Sequence, residues 1–328
     1  MKLGLFLSAQ FKPDDPLDAR LAEMRQQIVG AESLGFETLV LGHHYLARSA
    51  FLQPIPLAGY LAGATSRIKI AFGVLLAPLI NPLALAEDIA TLDALSNGRI
   101  VVGLGAGYRP IEFKAFAASY EDRFRTLERY VPILRSLWRG ETITASGDFG
   151  VLNDAKIEIK PTNPEGPPIW LGAFGDIGIR RAARLDATWL AGPEGDDDVL
   201  LARLELYREE LKRQGFSLDR DYPITRECCV APTREAALTA ARPFLQNQYE
   251  SYRNWEQAQS INFDEFILKH CLVGTPDDIL EKLRVYQDKL GVTEVFLRAQ
   301  WMGMPIEDVI ESIELLGETV LPELSRWS

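Results

Sequence analysis

The sequence predicts an α/β protein folded as a (β/α)8 TIM barrel, a single domain over residues 1–328, with insertions before the fifth strand and after the seventh. Short apolar, strand-like runs alternate with longer runs of helical spacing along the whole chain, giving eight strand–helix pairs. Such succession implies parallel strands, because parallel neighbours need a crossover between them. A chain of 328 residues has room for eight such units. An open Rossmann-type sheet is the alternative.

Lys2–Leu7 (KLGLFL) reads as the first strand, and Leu17–Leu34 as a helix stopped by Gly35. Thr38–Leu41 is the second strand and Ile55–Ala64 a short helix. Ile68–Leu75 (IKIAFGVL) is the third strand. Pro82–Leu95 is a helix opened by proline in its first turn and closed by Asn97-Gly98. Arg99–Leu104 is the fourth strand, and Tyr120–Trp138 the long helix after it. Pro168–Leu171 precedes a helix from Ile177 to Leu185, and Thr188–Leu190 one at Val199–Gln214. Ile224–Val230 precedes Arg234–Gln246, and Glu294–Arg298 precedes Glu307–Leu316. Two stretches break this rhythm. Residues 141–166 are turn-rich around KIEIK (Lys156–Lys160) and read as a small hairpin. Residues 247–273 are dense in aromatics (Tyr249, Tyr252, Trp255, Phe263, Phe266) and read as a lid or pocket wall. The helix Pro276–Leu290 follows, with Thr275 as its N-cap.

Composition narrows the function. The 46 acidic and 35 basic residues leave a net charge of −11, with no basic cluster of the kind that nucleic-acid binding needs. Three cysteines (Cys228, Cys229, Cys271) make no disulfide framework, so a reducing cytoplasm is expected. The apolar start Leu3–Leu7 is too short for a signal peptide. The longest uncharged stretch, Ile70–Ala86, contains Pro78, Asn81 and Pro82 and reads as strand, loop and helix start rather than a membrane span. Metal-spaced Cys/His clusters, Walker loops and nucleophile elbows are missing.

In such a barrel the reactive groups gather where strands end. After the second strand stand Gly42-His43-His44-Tyr45, holding two of three histidines. Strand alternation predicts that at most one imidazole points into the mouth, as an acid/base or hydrogen-bond partner; the other is expected to be a polar loop residue. After the third strand, Gly73 inside a strand pattern marks a bulge or a close approach. Gly103-Leu104-Gly105-Ala106-Gly107-Tyr108-Arg109-Pro110 is no dinucleotide fingerprint. It reads as backbone bared by small residues, suited to lie beneath a flat ring. Gly172-Ala173-Phe174-Gly175-Asp176 leads into a helix whose N–H groups could cradle phosphate, with Asp176 alternatively a simple cap. Cys228-Cys229 is assigned no role.

Taken together, Ala31–Tyr45, Gly73–Phe116, Glu121–Trp138, Pro167–Ala173, Ala182–Leu190 and Gly274–Leu283 resemble the bacterial luciferase-like monooxygenase superfamily, in its order and over nearly the whole chain. That resemblance implies a flavin ring over the barrel mouth, reduced FMN supplied by a separate reductase, O2 as co-substrate, and a small organic substrate such as an aldehyde, sulfonate or ketone. It makes His43 the acid/base residue and places a non-proline cis peptide at Gly73-Val74 beneath the flavin. The cofactor set it implies is Gly73, Val74, Gly105, Ala106, Gly107, Tyr108, Arg123, Gly172, Ala173, Phe174 and Gly175. Phe6, Phe72, Tyr108 and Trp301 would form a dry, apolar mouth around it. The chain departs from the family pattern at Gly42, where an acidic residue is common, at Ala106, where luciferases carry arginine, and at Ala173 and Asp176, where they carry hydroxyls. Arg123 matches an arginine frequent in the family. The resemblance also suggests a homodimer. Its alternatives are a deazaflavin (F420)-dependent dehydrogenase or reductase and a non-catalytic flavin-binding protein.

Overall fold

A computed structural model describes residues 1–193, 195–253 and 263–327. Eight parallel strands form its frame: β1 (Lys2–Leu7), β2 (Thr38–Leu41), β3 (Lys69–Phe72), β4 (Ile100–Gly105), β5 (Ile169–Gly172), β6 (Thr188–Leu190), β7 (Pro223–Val230) and β8 (Glu294–Arg298). Their order in the sheet is β6-β5-β4-β3-β2-β1-β8-β7, and neighbours along this path are parallel. The sheet curls until its ends touch. Ala191, just past β6, bridges Ile224 of β7, its N–H donating to Pro223 O at 3.2 Å while the Thr225 N–H donates to its carbonyl at 3.0 Å.

Helices follow the strands and carry the expected stops. Leu17–Leu34 ends at Gly35 with φ +99°, and Pro82–Ser96 starts on Asn81, whose side chain accepts from the Leu83 N–H, and ends on Asn97 with φ +58°. Thr275 caps Pro276–Val285 in a reciprocal box with Asp278. Among the described residues no helix is long and apolar enough to cross a membrane.

Side chains segregate by alternation along each strand. Leu39 and Leu41 of β2 join the large core between sheet and helices, whereas Val40 faces inward. It meets Ala71, Val101, Trp170, Leu190 and Phe296 in a separate inner plug, with Trp170 and Phe296 stacked at 5.3 Å. Phe6 and Val74 pack on this plug and carry it up to the strand ends.

Several predicted boundaries move. Ile68–Leu75 is not one strand: β3 stops at Phe72, the Gly73-Val74 peptide is cis, and Leu75–Leu76 resumes pairing on β4. The hairpin before β5 is Ile143–Gly147 with Gly150–Ala155, so Lys156–Lys160 contributes no strand. Its turn lies at Asp148-Phe149, between paired Gly147 and Gly150, and Gly150 takes φ +96°. The helix after β7 runs to Arg253, so Asn247–Arg253 continues a helix instead of opening an insertion. Phe263–His270 is a further helix, and Leu272–Gly274 pairs with the outer half of β7. Trp255 and the rest of 254–262 lie outside the described residues.

The break after β3 rests on missing β-carbons in β4 and β5. A Cβ on Gly103 would stand 1.8 Å from Phe72 O, one on Gly105 2.4 Å from Val74 Cγ2, and one on Gly172 2.9 Å from Val74 Cγ1. The Gly103 clash is with backbone that a strand pairing holds in place. Gly103→Ala is expected to lose about 1–3 kcal/mol or more in urea unfolding; an unchanged midpoint would show that β3 can move aside.

Candidate active site

Where the strands end, a cavity of about 820 Å³ opens. It lies within the size range of small-molecule and cofactor sites. Phe6, Gly73, Val74, Leu171 and Leu190 form much of its apolar floor. Gly105, Ala106, Gly107 and Tyr108 make one wall, and Gly172, Ala173, Phe174 and Gly175 another. The far side is polar, with Gln10, Thr225, Gln248, Tyr249, Arg298 and Gln300.

The Val74 side chain occupies the space that Gly105 and Gly172 leave by having no Cβ. The surface offered to the cavity floor is therefore a valine seated among glycines. Gly107 does need its freedom, with φ +75° and Phe113 2.9 Å from where a Cβ would stand.

His43 is buried in the cavity wall at 4% exposure. The Leu76 N–H donates to its Nδ1 at 3.1 Å. An amide can only donate, so Nδ1 must be the bare nitrogen, and this assigns the neutral ring's proton to Nε2. Nε2 is sealed from solvent, and the Gln53 side chain acts on the ring as a weak hydrogen-bond partner. Burial, with the neighbouring His44, holds the imidazolium pKa down at about 4. At neutral pH His43 is an uncharged donor, not a proton acceptor.

His44 reaches the same cavity, against the expectation that only one imidazole would. Strand β2 ends at Leu41, so alternation no longer governs residues 43 and 44. His44 Nδ1 lies 3.4 Å from Glu112 Oε1 and Nε2 lies 3.3 Å from the Tyr108 hydroxyl. Glu112 is wholly buried and sits in the short helix Pro110–Ala115. Its Oε1 also accepts from the Tyr45 N–H at 2.9 Å and from Arg109 Nη1 at 3.1 Å. Burial pushes the Glu112 carboxyl up, but His44, the Tyr45 amide and Arg109 outweigh it and hold it below its usual range. Arg109 in turn donates to Tyr45 O and Leu46 O, which ties down the loop bearing both histidines.

At the cavity's outer edge, Arg123 Nη1 donates to Tyr120 O at 2.6 Å, while its buried Nε has no hydrogen-bond partner among the described residues. Arg181 also lines this edge, donating to Glu128 at 2.6 Å. Beside them is the N-terminus of helix Asp176–Arg184, capped by Gly175 with no side-chain hydrogen bond. Asp176 is thus the first helical residue, exposed, and does not cap it. Two guanidiniums and open helix N–H groups make this edge a fit for an anion.

Two expected pocket residues are elsewhere. Phe72 is fully buried in the core under the helices. Trp301 is 1% exposed and donates from Nε1 to buried Glu227 at 2.7 Å. Neither lines the cavity, since strand alternation turns Phe72 outward and Glu227 holds Trp301 behind Arg298, itself 3.1 Å from Glu227. Residues missed by sequence reasoning are His44, Arg181, Arg298 and the three glutamines. Of these the sequence signalled only His44, by its position. Cys228, Cys229 and Cys271 are buried, which raises their thiols, Cys229 to about 12.

The low His43 pKa has a consequence for stability. The unfolded ring takes a proton near 6.5 and the folded one near 4, so between these values the unfolded state binds more protons. Stability is therefore full above pH 6.5 and falls as the pH drops toward 4. From pH 7 to 5 the protein is expected to lose on the order of 2 kcal/mol more than His43→Gln does in urea unfolding. Equal losses would place the His43 pKa near its ordinary value.

The chain is 28% identical to the 5,10-methylenetetrahydromethanopterin reductase of Archaeoglobus fulgidus, over 99% of this chain and 100% of that protein. It is 27% identical to the F420-dependent glucose-6-phosphate dehydrogenase of Nakamurella multipartita, over 92% of each. The crystal structure of monooxygenase RslO1 from Streptomyces bottropensis superposes with a TM-score of 0.87 at 23% identity, covering 99% of this chain and 100% of that one, and so shares its fold. A family model described as luciferase-like monooxygenase matches residues 1–294. The protein whose curled parallel sheet carries this cavity belongs to the luciferase-like monooxygenase family, a family of oxidoreductases.

Proposed function

We propose that the protein is an FMN-dependent monooxygenase on a (β/α)8 barrel, taking reduced FMN from a separate reductase and oxygenating a small organic substrate. The locked donor at His43 carries this reading. A neutral Nε2–H reached by the bound ligand would stabilise negative charge as it develops on an oxygen atom. The residues fit the cofactor: His43 and Arg123 both line the cavity, and the buried Arg123 Nε has no hydrogen-bond partner among the described residues.

In this reading the flavin supplies the electrons that activate O2. Val74, Gly73 and Leu190 would support the ring from below, and Ala106, Gly107, Ala173 and Phe174 would flank it. Arg123, Arg181 and the N–H groups after Gly175 would hold the phosphate, taking the place of the arginine and hydroxyls absent at Ala106 and Ala173. The polar side with Gln10, Gln248 and Gln300 would orient the substrate.

A second reading, a deazaflavin-dependent dehydrogenase or reductase, is favoured by the likeness to the F420-dependent glucose-6-phosphate dehydrogenase. The same cradle suits its phosphodiester. Fluorescence titration with FMN and F420 separates the two. FMN is expected to bind, and Arg123→Ala to weaken it about ten- to hundred-fold. At saturating FMN, His43→Gln is expected to lower oxygenation about a hundred-fold or more. Binding of F420 alone would overturn the first reading in favour of the second.

A further inference from the structure

We propose that Tyr108 is a catalytic residue of this cavity, exchanging a proton between the bound molecule and His44, with Glu112 as the positioning residue of that imidazole. This rests on the oxidoreductase reading above, and it assigns to His44 the proton acceptance that His43 cannot perform.

The assignment follows from who can donate. Glu112 is wholly buried beside Arg109, and its Oε1 already accepts from that guanidinium and from the Tyr45 N–H. An ionised carboxylate only accepts. The proton between it and His44 therefore sits on Nδ1, across the 3.4 Å contact. In the neutral ring that leaves the Nε2 lone pair facing the Tyr108 hydroxyl at 3.3 Å. The phenol donates and the imidazole accepts. Both side chains line the cavity. His43 is the reverse case, its lone pair engaged by the Leu76 amide and its proton on Nε2. The adjacent rings thus divide the work, one donating a hydrogen bond and the other taking a proton through a phenol.

The step balances. A hydrogen bound to a heteroatom of the ligand leaves as a proton to the Tyr108 oxygen, and its bonding pair stays on the ligand. The Tyr108 O–H proton moves to His44 Nε2, and the imidazolium is stabilised by Glu112, which has no need to be protonated. Run backwards, the same path delivers a proton.

Two measurements test this. In the cofactor-free protein, nitrogen-15 spectra of the histidine rings are expected to show His44 with a protonated Nδ1 and an accepting Nε2. That Nε2 signal is expected to move in Tyr108→Phe, and Glu112→Gln to abolish the tautomer preference. A proton found on Nε2 in the unaltered protein overturns the proposal. In the second, reduced FMN is bound and air admitted; conversion of reduced FMN and O2 to oxidised FMN and hydrogen peroxide transfers two electrons and two protons. Compared at saturating FMN, Tyr108→Phe is expected to slow it about ten-fold or more, and an equal rate at saturation overturns the proposal. If FMN does not bind at all, the FMN reading fails by itself and the tautomer still decides the role of Tyr108.

Discussion

A backbone amide just after β3 faces a ring nitrogen just after β2, and most of the site's character follows from that contact between Leu76 and His43. It requires the chain to change course directly after Phe72. That course is held by Val74, whose side chain fits only because β4 and β5 carry glycine at 105 and 172. The same turn brings Leu76 under the imidazole. A single packing arrangement thus shapes the cavity floor and decides which nitrogen of His43 carries the proton.

Electrostatics build on this arrangement. His43 is deeply buried with no carboxylate hydrogen-bonded to its ring among the described residues, so desolvation dominates and the ring stays neutral. His44, one residue on, is half-buried and held against a carboxylate. A shared loop therefore presents two imidazoles of opposite capacity, and Arg109 fixes their spacing by gripping the loop carbonyls.

The strands were readable because each is a short apolar run between turn signals; Thr38–Leu41, Thr188–Leu190 and Glu294–Arg298 fall where the pattern places them. Helix stops at Gly35 and Asn97 were readable for the same local reason. The third strand was misread as continuous, because Val74 and Leu75 are apolar and pattern does not register a break. Lys156–Lys160 alternates like a strand but finds no partner. In the site, His43 and the glycines stood out by type and position. Phe72 and Trp301 read as pocket residues because they are apolar and stand at or just past strand ends, but a buried core uses the same residue types. Glu112 gave no sign in the sequence, since its role depends on a helix folding back onto a loop 68 residues earlier at His44.

The most direct test of the account is the protonation state of His43, followed by nitrogen-15 spectroscopy of its ring while the pH is lowered. The account requires a bare Nδ1, a proton on Nε2, and no charging until the pH approaches about 4. A ring that carries its proton on Nδ1, or that charges near its ordinary 6.5, would contradict it.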